Sequence, residues 1–108
     1  MAREIETKCI HLEEAEGALN HFGAMAYPIY QSATYAHPGV GQSTGYDYSR
    51  LQNPTREHLE KTVASLENGI DALAFSSGMA AITLMMELFK PGDHLIVDAD
   101  LYGGSIRL

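Results

Sequence analysis

The second half of the chain carries the clearer pattern. Leu59, Val63 and Leu66 recur at i, i+4 and i+7, while Arg56, Glu57, Glu60 and Lys61 face the other way. This spacing predicts an amphipathic helix over 54–67. Asn53 suits the N-cap, and Pro54 suits the first helical position, where its missing N–H costs nothing. Gly69 in "ENG" predicts a left-handed residue at the helix end. "DALAF" (71–75) is a short apolar run and predicts a buried strand. "MAAITLMMELF" (79–89) is apolar almost all round, which predicts a buried helix stopped by "KPGD". "HLIVDAD" (94–100) predicts a second strand, with "LYGGS" (101–105) at its carboxyl end. Strand, helix, strand in this order predicts an α/β fold with a mainly parallel sheet.

Residues 1–52 differ. "IETKCIHLEEAEG" could hold a short helix with Ile5, Cys9 and Leu12 on one face. Glycines at 17, 23, 39, 41 and 45, with Pro28 and Pro38, then interrupt any period. So long an irregular stretch is uncommon inside a compact domain. The expectation is an arm over 1–52 that lies on another surface, followed by an α/β domain beginning at 53. Two parallel strands do not make a stable sheet, so 53–108 reads as the opening of a larger domain.

Charge and composition narrow the partners. A formal net charge of -7 over 108 residues argues against nucleic acid and anionic membrane, which select basic patches. The single cysteine, Cys9, excludes an internal disulfide and fits a reducing compartment. Cys9 reads as a small buried or half-buried residue. "MAREIETK" has no apolar run of the secretory kind, so a cytoplasmic location is expected. The five histidines show no H-x-H or H-x-x-x-H spacing, and no metal site is expected.

Three stretches could carry chemistry. "SSGMAA" (76–81) lies between a predicted strand and helix, where free N–H groups and the helix dipole favour an anion. Ser76 or Ser77 could add a hydroxyl and Gly78 would allow close approach; the same stretch also reads as an ordinary cap and turn. No Walker A loop and no G-x-G-x-x-G at a strand-to-helix turn is present. Tyr102 follows the second strand, on the side where ligands of open α/β sheets bind. It could stack on a flat ring or simply pack a loop edge. In "GYDYSRLQNPTR", Tyr48 and Arg50 stand two apart, and in extended backbone they would share one side and grip one anion. The plain alternative is a solvated loop with a surface arginine.

Taken together, "PIYQSATY", "GYDYSRLQNPTR", "LENG", "FSSGMAA", "KPGDHLIV" and "LYGGS" resemble, in order and spacing across most of 27–107, the cystathionine γ-synthase-like family of pyridoxal-phosphate enzymes of cysteine and methionine metabolism. The resemblance implies the N-terminal portion of a fold-type I enzyme, with 53–108 beginning the cofactor-binding domain. It implies that Tyr48 and Arg50, with Ser49 between them, bind the cofactor phosphate of a neighbouring subunit. Ser77, Gly78 and Met79 would hold the same phosphate from within the subunit. Tyr102 would stack on the pyridine ring and assist proton movement, and Asp47 would stand near the distal end of the substrate. The implied assembly is a homo-oligomer, a dimer of dimers with shared active sites, acting on a small amino-acid substrate.

The family's Schiff-base lysine and its pyridine-nitrogen aspartate match nothing in these residues, so the 108-residue chain is expected to be inactive alone. The implied activity of the whole enzyme is γ-replacement on an activated homoserine by cysteine. Gly104 stands where methionine γ-lyases carry a cysteine, which turns the reading toward the synthase. Cystathionine γ-lyase and O-acetylhomoserine sulfhydrylase stay open. So do two readings of other classes: a non-enzymatic piece that acts in subunit association, and an unrelated phosphate-binding α/β module.

Overall fold

The computed structural model describes residues 4–11, 22, 24 and 26–108. Four helices are formed among them: α1 (Ile5–Ile10), α2 (Pro54–Leu66), α3 (Gly78–Met86) and α4 (Gly103–Arg107). The chain divides into two compact units, Met1–Leu73 and Ala74–Leu108. Leu12 and Gly17, expected on or after the first helix, lie outside the described residues. Cys9, expected to be at least half-buried, is exposed on α1.

The first unit is organised by the start of α2. Asn53 is extended, and its Oδ1 accepts from the Thr55 N–H at 2.9 Å, so the predicted cap is formed. Its Nδ2 reaches Tyr30 O at 3.1 Å, the Tyr35 hydroxyl at 3.2 Å and Ser49 Oγ at 3.3 Å. Two protons serve three oxygens, so at least one of these bonds is shared. Thr55 Oγ1 returns the grip by accepting from the Tyr30 N–H at 2.8 Å. One helix end thus binds two segments of the preceding arm. Those segments also meet each other: Tyr35 N–H donates to Asp47 O at 3.2 Å and Ser49 N–H to Ala33 O at 2.9 Å, around an antiparallel bridge between Thr34 and Tyr48. Tyr27 stacks on His58 with ring centroids 3.8 Å apart, adding a contact on the next turn of α2.

The polar side of α2 makes the closer contacts. The Tyr46 hydroxyl donates to Glu57, and Lys61 pairs with the other oxygen of the same carboxylate. Glu60 is 16% exposed, whereas Leu59 and Val63 of the apolar stripe are 55% and 41% exposed. The helix therefore binds the arm through its polar face, while Leu59 and Val63 of its apolar stripe stay exposed and Leu66 is half-buried. The helix end also differs from expectation. Asn68, not Gly69, takes the left-handed conformation (φ 54°), and the Gly69 N–H returns to Ala64 O at 2.8 Å. This is a Schellman closure one residue earlier than predicted, with asparagine in the place glycine usually takes.

In the second unit Ser77 caps α3, its Oγ accepting from the Ala80 N–H at 3.1 Å. The predicted stop is a tight turn at 90–93, in which Asp93 N–H donates to Lys90 O at 3.0 Å and Gly92 has φ 102°. Pro91 followed by this glycine gives the type II pattern.

Two expectations are not met among the described residues. Residues 71–75 and 94–100 form no ladder, and Ile96 is 97% exposed. Nor is α3 buried: Leu84 and Met85 are 44% and 48% exposed. A strand needs hydrogen-bonded neighbours, and an apolar helix needs a sheet to lie on. The described residues supply neither.

Two outcomes follow from these contacts. Asn53→Ala should free both the cap and the arm, speeding amide exchange at Tyr30 and Thr55 by roughly tenfold in the full-length protein, about the worth of one cap. Asn53→Asp should keep Thr55 protected and lose Tyr30.

Glu57 and Tyr46 predict a pH dependence. The bond to Lys61, then that from Tyr46, holds the Glu57 carboxyl below its ordinary 4.5. Burial, then the Glu57 bond, holds the Tyr46 hydroxyl above its ordinary 10.0. The carboxylate's contribution to stability is present above pH 4.5 and is lost as pH falls through the folded value. The tyrosine's is full below pH 10.0 and is lost as pH rises beyond it. In melting curves against pH, the advantage of the parent over Tyr46→Phe should therefore shrink at both ends. A constant difference across that range would contradict the assignment.

Candidate cofactor site

The residues singled out from the sequence fall into two groups, one in each unit. In the first unit Asp47, Tyr48, Ser49 and Arg50 lie on the bridge and the turn that follows it. Leu51 and Gln52 N–H donate to Tyr48 O at 2.9 and 3.0 Å, so Arg50 sits inside a helical turn and not in extended backbone. The alternation argument therefore does not apply. Tyr48 and Arg50 come together because the turn folds the guanidinium carbon over the ring, 5.0 Å from its centroid. This cation–π contact leaves the guanidinium edge uncommitted, and Arg50 has no carboxylate partner among the described residues.

The rest of the segment is anchored inward. Ser49 Oγ donates to Ser32 O and accepts from Asn53. Asp47 Oδ1 takes the Ser43 hydroxyl at 3.1 Å and faces His37 Nε2 at 3.3 Å. Both partners use one oxygen, and the carboxylate is 61% exposed. Arg56, which the sequence reading placed only on the polar side of α2, reaches the carbonyls of Ser49 and Leu51. Its spacing of seven and five residues from them gives no sign of this, because the contact depends on the chain reversing at 48–51.

In the second unit Ser77, Gly78 and Met79 open α3. The N–H groups of Gly78 and Met79 belong to its first turn and have no intrahelical acceptor. Nothing lies within 4 Å of where a Gly78 side chain would begin, so this end of the helix is open to an approaching group. Ser77 Oγ uses a lone pair on Ala80, which leaves its proton free to donate.

Tyr102 is 72% exposed and precedes α4. A Cβ added at Gly104 would stand 2.7 Å from Tyr102 Cε1 and 3.0 Å from Met79 Sδ. Glycine is therefore what allows the Tyr102 ring and Met79 to close around this position. Ser105 Oγ also lies 3.7 Å from Met79 Sδ. The start of α3 and the Tyr102 loop are thus neighbours, which their separation in sequence did not reveal. An open helix N-terminus, a free hydroxyl proton and an exposed aromatic ring form a donor set that suits a phosphorylated planar ring.

The comparisons with known proteins agree with this chemistry. The family described as "Cys/Met metabolism PLP-dependent enzyme" matches residues 6–108. The chain is 51% identical over its whole length to cystathionine gamma-synthase/O-acetylhomoserine (thiol)-lyase of Bacillus subtilis (strain 168), covering 28% of that protein. It is 56% identical over 80% of its length to cystathionine gamma-lyase of the same organism, covering 23% of it. The crystal structure of cystathionine gamma synthase from Xanthomonas oryzae pv. oryzae, in complex with aminoacrylate and cysteine, superposes with a TM-score of 0.83 at 35% identity, over 99% of this chain and 27% of that one. The chain thus spans about a quarter of the length of the curated relatives it matches. On the match across 6–108, it belongs to the pyridoxal-phosphate-dependent enzymes of cysteine and methionine metabolism.

Proposed function

We propose that the full-length protein is a cystathionine γ-synthase, joining an activated homoserine to cysteine with loss of the γ-substituent. The observation that carries the reading is the second-unit cluster, in which Tyr102 and Gly104 meet Met79 at the open start of α3. It supports an anion cradle beside an aromatic platform. Pyridoxal phosphate, when bound, supplies the electron sink for carbanions at Cα and then Cβ.

The chain's own residues have three tasks in this reading. The N–H groups of Gly78 and Met79 and the Ser77 hydroxyl hold the phosphate, helped by about half a positive charge at the helix end. The exposed Tyr102 ring would offer an aromatic face to the cofactor ring, and its hydroxyl could hold a proton for the substrate. Tyr48 and Arg50, with Ser49 between them, serve the phosphate of a second copy, and Asp47 stands toward the distal end of its substrate. The assembly is then a homo-oligomer, a dimer of dimers, whose sites are completed across an interface. The 108-residue chain supplies phosphate and ring contacts and is inactive alone.

Two features favour the synthase. A relative matched over the whole chain carries cystathionine gamma-synthase in its name, together with O-acetylhomoserine (thiol)-lyase. At Gly104, a cysteine of the kind carried by methionine γ-lyases would push the Tyr102 ring aside. The match to a γ-lyase supports the neighbouring reading, in which the same site eliminates instead of replacing.

Assays of the full-length protein separate these outcomes. Cystathionine should form from cysteine and an activated homoserine faster than ammonia and an α-keto acid appear. Release of the keto acid as the main product would assign a lyase, and failure to take up pyridoxal phosphate would end the reading altogether. Shared sites make a further expectation: mixed oligomers of Arg50→Ala and Tyr102→Phe subunits should regain activity that neither variant has. No recovery on mixing would place both residues in one subunit's site.

A further inference from the structure

Arg56 has no role in the reading above, yet its guanidinium is committed to the turn that carries Arg50. Nη1 donates to Ser49 O at 3.4 Å, Nη2 donates to Leu51 O, and Nε faces the Glu60 carboxylate at 3.7 Å. Ser49 and Leu51 are the residues on either side of Arg50. The planar fork therefore grips the carbonyls that bracket it, and a partly buried glutamate one turn along α2 fixes the direction of the fork. Among the described residues, Arg50 itself is held only by its contact with the Tyr48 ring. A long exposed side chain on an unpinned turn would lose much of its binding strength to ordering, and a pinned turn avoids that loss.

We propose that Arg56 is a positioning residue for Arg50: by holding the carbonyls of Ser49 and Leu51 it presents the Arg50 guanidinium to the cofactor phosphate. The proposal rests on the reading that Arg50 is a phosphate ligand. A different role is available to Arg56, namely stapling the arm to α2 with no consequence for the ligand. The two roles differ in ligand selectivity. A staple supports every ligand of the protein equally, whereas a positioner of Arg50 matters only to ligands that carry a phosphate.

The test measures dissociation constants of pyridoxal phosphate and of pyridoxal, which lacks the phosphate. It uses the full-length protein, Arg50→Ala, Arg56→Ala and the double variant. Arg56→Ala is expected to weaken pyridoxal phosphate by about tenfold, the worth of a charge-assisted hydrogen bond. Pyridoxal should stay within about twofold, and the double variant should bind no more weakly than Arg50→Ala within the same margin.

Equal losses for both ligands, or losses that multiply in the double variant, would overturn the proposal and leave Arg56 as a staple. Unchanged pyridoxal phosphate affinity in Arg50→Ala would overturn the phosphate reading itself, and the proposal with it. If Arg56→Ala does not fold, Arg56→Lys keeps the charge beside Glu60 but lacks the fork that spans two carbonyls. It should show a smaller loss confined to pyridoxal phosphate, and parent-like affinity for both ligands in Arg56→Lys would overturn the proposal.

Discussion

The carboxamide of Asn53 is the contact on which the first unit depends. Its oxygen starts α2 and its nitrogen holds Tyr30, Tyr35 and Ser49, so one side chain fixes both the helix and the arm that crosses it. Neither half of this arrangement is strong alone. A cap is worth about 1 kcal/mol, and so is a neutral hydrogen bond. Their joint effect is geometric. The cap sets where α2 begins, which sets where Arg56 and Glu57 emerge: Glu57 takes the Tyr46 hydroxyl, and Arg56 reaches the carbonyls of Ser49 and Leu51 on either side of Arg50. A shift of Asn53 would move every one of these groups together.

The second unit solves a different problem with fewer parts. Its free donors at the start of α3 are backbone N–H groups, which need no side-chain rotamer to be held. What must be arranged is only the entry into α3 and the approach of the Tyr102 loop. Ser77 provides the first, and Gly104 the second by leaving room for the ring. Each unit by itself thus carries groups suited to phosphate: the first a cationic side chain on a turn, the second a set of neutral backbone donors.

Local grammar was legible in the sequence where the physics is local. Asn53, Pro54 and the 3.6-residue period placed α2 to within a residue of its observed end, and "KPGD" marked a turn that is formed. The Gly69 expectation missed by one because asparagine tolerates the left-handed region nearly as well. The strands at 71–75 and 94–100 were read from apolar content alone, but a ladder is a property of neighbours and no run of residues determines it. The same reason explains why α3, apolar on all sides, is exposed. At the candidate site, the residue types and their order carried the family resemblance. The turn that brings Arg50 over Tyr48, and the hold of Arg56 on it, depend on a chain reversal that spacing does not encode.

The polar face of α2 holds the arm while Leu59 and Val63 stay exposed, and the order of folding follows from this. The clasp at Asn53 closes segments only 18 to 23 residues long, with Thr55 closing one of 25. Loops of this length close at small entropic cost. The first unit can therefore assemble through polar contacts while later residues are still being synthesised. Leu59 and Val63 would meanwhile stay exposed.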